Sequence, residues 1–315
     1  MNLDYKLLTP IKGDASNRKF YRKKKGNKSS IIIFCKKEKY KNLIIYESIN
    51  RVLIKNKISA PKYISQNLKK NFIEIEDLGN NTIYEKLIKK KINKIYTYKK
   101  IIELLIKIQK IKTKKVKDIF SKNYFIPNYS KKVLFDEVSI FFKWYTPLFY
   151  KGAKKKKINN LLKNNIKKIL ENLKLPDNTF VHRDFHVSNL IYNKNRISVI
   201  DSQDVLYGNP SYDLASLVDD VRIETDIKIK NLIYNFYISK KKVNIKNFKN
   251  DFEILSVLRN LKIIGIFIRL AQRDQKKKYL KLIPHAWHLI KLRIEKNKSL
   301  IELKKNLKFY FPNKI

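Results

Sequence analysis

The stretch Phe180–Gly208 reads F-V-H-R-D-F-H-V-S-N-L-I-Y-N-K-N-R-I-S-V-I-D-S-Q-D-V-L-Y-G. It contains two of the four histidines of the chain, three aspartates and several asparagines. The segments Asn178–Val181 and Ile197–Ile200 are short and partly β-branched, and each is followed directly by polar residues. This pattern predicts a strand, a polar loop and a second strand, with reactive side chains where the strands end.

The polar side chains of this stretch are spaced for phosphoryl transfer. Asp184 and Asn189 are separated as in the catalytic loop H-R-D-x-x-x-x-N of protein kinases, and Asp201 follows the next predicted strand. Such a reaction needs one carboxylate for the proton of the attacking hydroxyl, and an amide and a carboxylate for Mg²⁺. We therefore predict Asp184 as the catalytic residue and Asn189 and Asp201 as metal ligands.

The composition indicates a globular chain with an extreme positive charge. Apolar residues make up 43% of the 315 residues, and the formal net charge is +45. Such a charge would suit a nucleic-acid-binding protein or an anionic membrane surface. However, Lys, Asn, Ile, Tyr and Phe are enriched together and the lysines are spread along the chain, as in the product of an AT-rich genome. We interpret the charge as compositional drift and expect no specific nucleic-acid partner.

Cysteine usage and hydropathy exclude other classes. Cys35 is the only cysteine, so a disulfide framework and a cysteine zinc site are excluded. The N-terminal residues M-N-L-D-Y-K-L-L-T-P have no apolar signal core, and no apolar run is long enough to span a membrane. We expect a cytoplasmic monomer without a membrane partner.

The first part of the chain predicts a nucleotide-binding hairpin. Gly13 and Ser16 lie in a polar turn between strand-like segments, where a backbone with small side chains can approach a phosphate closely. A plain hairpin turn is the alternative. Lys36 or Lys37, after the next strand-like run, is the candidate nucleotide lysine. Glu47, on a predicted helix over 41–55, is either its partner or a surface residue.

A strand-like run that stops at E-D-L-G, residues 76–79, predicts a hinge. Glu76 and Leu78 flank backbone groups that could pair with an adenine edge, and Gly79 permits the turn. We predict a nucleotide-covering lobe at 1–79 and a lobe at 80–315 with the catalytic loop, the metal site and the acceptor pocket. Helices dominate after the hinge, and Lys151–Lys157 is expected to be an exposed loop.

These motifs resemble the aminoglycoside phosphotransferase and choline-kinase-like branch of the protein-kinase-like fold. That branch has H-x-D-x-H-x-x-N, I-D and D-L-A, which are matched by His182, Asp184, His186, Asn189, Ile200-Asp201 and Asp213-Leu214-Ala215. Further blocks, G-D-A-S-N-R from Gly13, E-D-L-G, D-S-Q-D and L-R-N-L-K, resemble the bacterial anomeric kinases of N-acetylmuramate and N-acetylglucosamine. A G-x-G-x-x-G loop and a V-A-I-K lysine are not found.

The resemblance implies an α+β, bilobal fold with a small β-rich N-lobe and a larger, mainly helical C-lobe. It also implies ATP- and Mg²⁺-dependent phosphorylation of the anomeric hydroxyl of an amino sugar in cell-wall recycling. Gln203 and Asp204 follow the predicted metal ligand Asp201 and are predicted to bind the sugar, with surface-loop residues as the alternative. His186 is predicted to bind the substrate and His182 to support the loop, although both histidines suit hydrogen bonds that fix the loop. The resemblance implies that Asp213 supports the catalytic loop.

Other readings of the sequence remain open. An aminoglycoside or choline acceptor is the nearest alternative, and a basic nucleic-acid-binding protein is the alternative of another class. A protein kinase is disfavoured because D-S-Q replaces D-F-G and A-P-E is missing. Arg259 and Arg269 are candidates for a substrate wall or for ordinary ion pairs.

Overall fold

A computed structural model describes residues 8–11, 18–36, 40–193 and 196–315. Gly13, Ser16 and Lys37, three of the residues considered for nucleotide binding, lie outside these ranges. The chain divides into two compact units, Met1–Pro127 with His182–Leu206, and Asn128–Val181 with Tyr207–Ile315. The stretch that opens at His182 thus belongs to the first unit, and the lobe boundary at Gly79 stays a prediction.

The first unit is built on a five-stranded antiparallel sheet in the order β1-β2-β3-β5-β4. Its strands are β1 (Leu8–Ile11), β2 (Lys19–Lys25), β3 (Lys28–Phe34), β4 (Tyr63–Asn67) and β5 (Phe72–Glu76). The register pairs Phe20 with Ile33 and Arg22 with Ile31. Successive side chains of a strand point to opposite faces, so Phe20 and Arg22 share one face of β2.

Helix α1 (Tyr40–Lys55) covers one face of this sheet. Leu43 and Tyr46 of α1 form a buried cluster with Ile33, Ile73 and Ile75. Phe20, Ile31 and Cys35 pack against the same cluster, which identifies the face of β2 and β3 that lies toward α1. The spacing of apolar residues along α1 predicted this helix from the sequence.

A second, small sheet of the first unit carries the ends of the catalytic stretch. It is a hairpin of β9 (Leu190–Asn193) and β10 (Arg196–Val199), in which Leu190 pairs with Val199. The hairpin therefore brings residues 189 and 200 side by side, and the Ile200 N–H donates to the Asn189 carbonyl at 3.1 Å. The sequence predicted β10 but not β9, because β9 has only four residues and begins directly at the end of the polar loop.

The first unit contains four further helices and strands. They are α2 (Ile83–Ile88), α3 (Lys94–Gln109), β6 (Lys115–Lys117) and β7 (Asn123–Phe125). The Val199 N–H donates to the Ser59 carbonyl and the Tyr192 N–H donates to the Asn81 carbonyl, both at 2.8 Å. These bonds fix the β9–β10 hairpin to the segments before β4 and before α2.

The second unit is mainly helical. It contains α4 (Lys131–Trp144), α5 (Gly152–Glu171), β8 (Thr179–Val181), β11 (Leu206–Gly208), α6 (Tyr212–Val218), α7 (Ile227–Ser239), α8 (Ile245–Gln272), α9 (Ile283–Ile294) and α10 (Ile301–Tyr310). The prediction of an exposed loop at Lys151–Lys157 is wrong, because α5 begins at Gly152. The side chains of this segment are mostly exposed, as predicted, but alanine and lysine favour a helix.

Helix α8 packs closely against α4 at a glycine. A Cβ atom added at Gly265 of α8 would lie 2.6 Å from the backbone of Ile140, so only glycine permits this approach. No helix in the described ranges is long and apolar enough to cross a membrane.

Candidate active site

The loop after β8 is held by hydrogen bonds to its own backbone. The carbonyl oxygen of Asp184 accepts from the His186 N–H at 3.1 Å and from the Asn189 side-chain nitrogen at 3.0 Å. Arg183 has a φ of 73°, a left-handed backbone conformation that is costly for a long side chain and is typical of functional loops. The Asp184 residue is half-buried, and the loop around it is fixed from both sides.

His182 joins this loop to the end of β10. Its side chain is fully buried, and Nε2 lies 3.1 Å from the carbonyl oxygen of Ile200. A carbonyl oxygen can only accept, so Nε2 carries the proton. Burial lowers the pKa of His182, although Asp184 and Asp201 act in the opposite direction. The buried bond between His182 and Ile200 ties the start of the loop to the residue after β10.

His186 has little exposed surface. Its side chain is 3% exposed, and Nε2 lies 3.4 Å from the Asn189 side-chain nitrogen. That nitrogen also donates to Asp184, so the amide oxygen of Asn189 is the end left to face a ligand. Its predicted role in substrate binding stays a prediction, but the contacts present are those of a residue that orients Asn189.

Asp201 stands two residues after the end of β10 in a left-handed conformation, with a φ of 65°. Aspartate tolerates this conformation better than most residues. Its Oδ1 accepts a hydrogen bond from Arg18 Nη2 at 2.6 Å, and its side chain is 34% exposed. The next residue, Ser202, donates to the Asn50 side chain of α1 at 2.6 Å, which ties this segment to the main helix of the unit.

Tyr46 of α1 lies close to the same carboxylate. Burial raises the pKa of Tyr46 to about 12, and the charge of Asp201 acts in the same direction. The phenol therefore stays protonated and neutral in the physiological range, and it can only act there as a hydrogen-bonding group.

Gln203 and Asp204, two predicted substrate-binding residues, form one polar chain with Arg18. Arg18 Nη1 donates to Gln203 Oε1 at 2.9 Å, and Gln203 Nε2 donates to Asp204 Oδ2 at 2.9 Å. Gln203 is buried, whereas Asp204 is exposed. Asp204 is thus the more accessible of the two for an outside ligand.

The predicted hinge segment is tied to β2 by Arg22. Its guanidinium donates to both carboxylate oxygens of Asp77, at 2.5 and 3.1 Å, and to the Asn80 side chain at 2.6 Å. Burial opposes ionisation of Asp77, but these bonds prevail and hold its pKa below the usual value. Gly79 has a φ of 85°, as the turn predicted there requires.

The other described residues that are predicted to bind ATP are Glu76, Leu78 and Lys36. The Glu76 N–H donates to the Lys62 carbonyl at 2.8 Å, and its side chain accepts from the Lys62 N–H at 3.2 Å. Leu78 is half-buried, and Lys36 is exposed beyond the end of β3. Their role in binding ATP stays a prediction.

Glu47, considered as the partner of the nucleotide lysine, pairs with a different cation. Its carboxylate lies 3.3 Å from Arg51 Nε, one helical turn further along α1. Burial raises the pKa of Glu47. Glu47 is buried, so its interpretation as a surface residue is wrong, and its pairing with Lys36 or Lys37 stays a prediction.

In the second unit, Asp213 is fully buried in the first turn of α6. Arg259 of α8 is buried, and its Nη1 has no hydrogen-bond partner in the described residues. Lys262, one turn further, donates to Glu137 at 2.9 Å.

Sequence reasoning missed two residues, Arg18 and Arg22. Both stand in the block G-D-A-S-N-R-K-F-Y-R from Gly13, but they received no role. Their alternation with Phe20 on one face of β2 was the available signal. Their partners lie 183 and 55 residues away, which no local pattern reports.

The donor set fits a magnesium ion. Mg²⁺ prefers one or two carboxylate or amide oxygens from the protein and completes its shell with phosphate and water. Asp201 offers a partly exposed carboxylate and Asn189 offers an amide oxygen whose nitrogen is already engaged. The Asp201 carboxylate already binds one positive group, the guanidinium of Arg18, so it lies in a position that a cation can reach.

The fold and these side chains define a class, the phosphotransferases with a protein-kinase-like fold. Residues 7–233 match the phosphotransferase enzyme family, which is most of the chain. The chain belongs to this family and is a phosphotransferase with an alcohol group as acceptor. The resemblance and the fold class predicted from the sequence are confirmed.

Individual proteins are similar to this chain in sequence or in fold over most of its length. An N-acetylmuramate/N-acetylglucosamine kinase of Neisseria meningitidis serogroup B is 27% identical over 287 residues, covering 88% of this chain and 82% of that protein. Choline kinase LicA from Streptococcus pneumoniae has a similar fold, with a TM-score of 0.60 at 16% identity over 91% of this chain and 95% of that chain. The streptomycin-ATP-APH(2")-IIa ternary complex has a TM-score of 0.58 at 16% identity over 90% and 99%.

Proposed function

We propose that this phosphotransferase moves the γ-phosphate of ATP to the anomeric hydroxyl of N-acetylmuramate or N-acetylglucosamine. The observation that carries the proposal is the 27% identity, over 88% of the chain, to a kinase named for these two sugars. The motifs from Gly13 to the L-R-N-L-K block, quoted above, support the same acceptor class. ATP as the donor is supported by the family and by the ATP complex of a protein with the same fold.

Asp184 is proposed to take the proton of the attacking hydroxyl. Its loop is held by the two hydrogen bonds to its carbonyl oxygen, which supports a preset carboxylate position. Proton abstraction of this kind contributes roughly 10²–10⁴-fold to a rate. The anomeric hydroxyl is the most acidic hydroxyl of a sugar, so Asp184 has to remove little proton density before attack.

Asn189 and Asp201 are proposed to hold Mg²⁺. When bound, the ion neutralises phosphate charge and aligns the phosphate that is transferred. The β9–β10 hairpin supports this assignment, because it brings the two positions together at one end.

On the acceptor side, His186, Gln203 and Asp204 are proposed to contact the sugar. Asp204 is the exposed member and Gln203 is bonded to it, so a sugar hydroxyl would meet Asp204 first. His182 and Asp213, both fully buried, are proposed as structural supports of the catalytic loop.

On the nucleotide side, residues 1–79 are proposed to cover ATP and residues 76–79 to form the hinge. Gly13, Ser16, Glu76 and Leu78 are proposed to contact the nucleotide. Lys36 is the cation that a kinase pattern would assign to the phosphates. The two acceptor sugars support a role in cell-wall recycling, and we further propose that the protein is a cytoplasmic monomer.

An acceptor screen tests the proposed function. ATP consumption is measured with N-acetylmuramate, N-acetylglucosamine, another hexosamine, an aminoglycoside and choline as separate acceptors, and Asp184→Asn serves as the inactive control. The expected result is turnover with the two N-acetylated sugars only. Turnover with only choline or only the aminoglycoside would show that the acceptor is not an N-acetylated sugar. Phosphorylated product formed without ATP would show that ATP is not the donor.

A further inference from the structure

We propose that Arg18, and not Lys36, is the cation that binds the phosphates of the nucleotide. The inference rests on the proposed use of ATP and names a further residue of that site. In the structure the guanidinium is bonded to Asp201 and Gln203.

The face of the sheet that lies toward α1 decides which residues can serve. Ser29, Ile31 and Ile33 of β3 and the following Cys35 point to that face, so none of these positions places a cation on it. Arg18, just before β2, and Arg22 and Lys24 of β2 alternate with Phe20 on this face, and Lys24 is exposed. Arg18 also lies over the Phe20 ring, with its guanidinium carbon 5.8 Å from the ring centre.

Arg22 and Lys36 are poorer candidates than Arg18. Arg22 is committed to Asp77 and Asn80 by three hydrogen bonds at the predicted hinge segment. Lys36 is exposed beyond the strand, and the helix acid that would orient a lysine, Glu47, pairs with Arg51. Arg18, by contrast, is bonded to the proposed metal ligand itself.

The guanidinium is presented in the form that suits a phosphate. Its two terminal nitrogens donate to two separate acceptors, Asp201 Oδ1 at 2.6 Å and Gln203 Oε1 at 2.9 Å. Two parallel N–H groups of one arginine match two oxygens of a phosphate in the same way. Arg18 is also 14% exposed at its side chain, so a ligand can reach it without unfolding the sheet.

Binding of Mg²⁺ and ATP would change the preferred partner of Arg18. An ion on Asp201 cancels the negative charge that holds the guanidinium, and the polyphosphate brings several negative oxygens near it. The attraction of Arg18 therefore shifts from the carboxylate to phosphate oxygens. We therefore expect Arg18 to exchange its bonds with Asp201 and Gln203 for bonds with phosphate oxygens when Mg·ATP binds.

Equilibrium binding of Mg·ATP and of adenosine to Arg18→Gln tests the inference. We expect the Kd of Mg·ATP to rise by about 10- to 100-fold, as for the loss of a charge-assisted hydrogen bond, with adenosine within about twofold. Lys19→Gln is the matched control, because Lys19 is the exposed neighbour on the same strand and loses the same charge. It should bind Mg·ATP within about twofold of the unaltered chain.

Three results would overturn the inference. One is unchanged binding of Mg·ATP by Arg18→Gln, above all if Lys36→Gln loses it. Another is an equal loss of ATP and adenosine, which would give Arg18 a purely structural role. A third is full rescue of ATP affinity by excess Mg²⁺, which would limit Arg18 to positioning Asp201. If the unaltered chain does not bind Mg·ATP at all, the proposed function fails together with this inference.

Discussion

The side-chain nitrogen of Asn189 lies 3.0 Å from the backbone carbonyl oxygen of Asp184 and donates a hydrogen bond to it. One residue therefore links the two halves of the proposed chemistry, since its nitrogen holds the loop of the base and its oxygen is free for a metal. The β9–β10 register adds Asp201 at the same end of the hairpin.

Replacing Asp184 should separate turnover from nucleotide binding. Asp184→Asn keeps the shape of the side chain and the backbone carbonyl that Asn189 holds, but it cannot accept the hydroxyl proton. We expect kcat to fall by about 10²–10⁴-fold while the Kd of ATP changes little. Steady-state kinetics and a binding isotherm measure the two quantities. If the variant kept more than about a tenth of the normal kcat, the assignment of Asp184 would be wrong.

Replacing the two proposed metal ligands should raise the Mg²⁺ requirement unequally. Asp201→Ala removes a charge from the ion, whereas Asn189→Ala removes only a neutral oxygen, so Asp201→Ala should be the more severe. Asn189→Ala also releases the Asp184 carbonyl and should lower kcat at saturating Mg²⁺. Titration of ATP binding with Mg²⁺ measures the first effect. An unaltered Mg²⁺ dependence in Asp201→Ala would remove the metal role.

A buried ion network should dominate the stability of the helical unit. Asp219 is fully buried and accepts from Arg293 at 2.7 and 2.9 Å, from Lys230 at 3.0 Å and from Ser256 at 2.6 Å. Asp219→Ala leaves the buried Lys230 and the half-buried Arg293 without this partner, so we expect a loss of about 3–5 kcal/mol in the free energy of unfolding. Chemical denaturation measures it. Glu295→Ala, which breaks an exposed pair with Lys304, is the control and should leave the midpoint nearly unchanged.

The same network predicts a pH dependence. Burial alone would raise the pKa of Asp219, but Arg293 and Lys230 prevail and hold it far below its ordinary value of 3.8. Since the folded-state pKa is lowered, the stabilisation is fully present above the unfolded pKa and is lost as the pH falls below it. Stability measured between pH 2 and 6 should therefore fall more steeply for the unaltered chain than for Asp219→Ala. Parallel curves would contradict this.

Helices and strands with a clear periodic pattern of apolar residues could be predicted from the sequence. Contacts between segments that are distant in the sequence could not. Helix α1 and the run of β3 follow from apolar spacing, and the class of reaction follows from Asp184, Asn189 and Asp201. Strand β9 was missed because it has only four residues, which is too short for an alternating apolar pattern to distinguish it from the loop before it. The bond of Arg18 to Asp201 was missed because it depends on how the sheet and the hairpin meet, which the local sequence does not encode.

The basic surface should bind nucleic acid only weakly. Exposed lysines occur in both units, for example Lys24 of β2, Lys107 of α3 and Lys168 of α5. Contacts of lysine with phosphate release counterions, so their affinity falls steeply as salt rises. We expect binding to a DNA duplex at low salt that is nearly lost at about 0.15 M salt and does not depend on sequence. Tight, sequence-dependent binding at that salt would revive a nucleic-acid function.

The position of the new phosphate is the most demanding prediction, because a sugar offers several hydroxyls. We expect transfer to the C1 hydroxyl, which is the most acidic and needs the least help from Asp184. The 1-O-methyl glycoside of N-acetylglucosamine lacks this hydroxyl but keeps the one at C6, so it should be inert and is the matched control for the free sugar. Phosphorus–proton coupling in the product of the free sugar should place the phosphate on C1. Phosphorylation of the glycoside, or coupling to the C6 protons, would reject the anomeric assignment and leave the phosphotransferase itself standing.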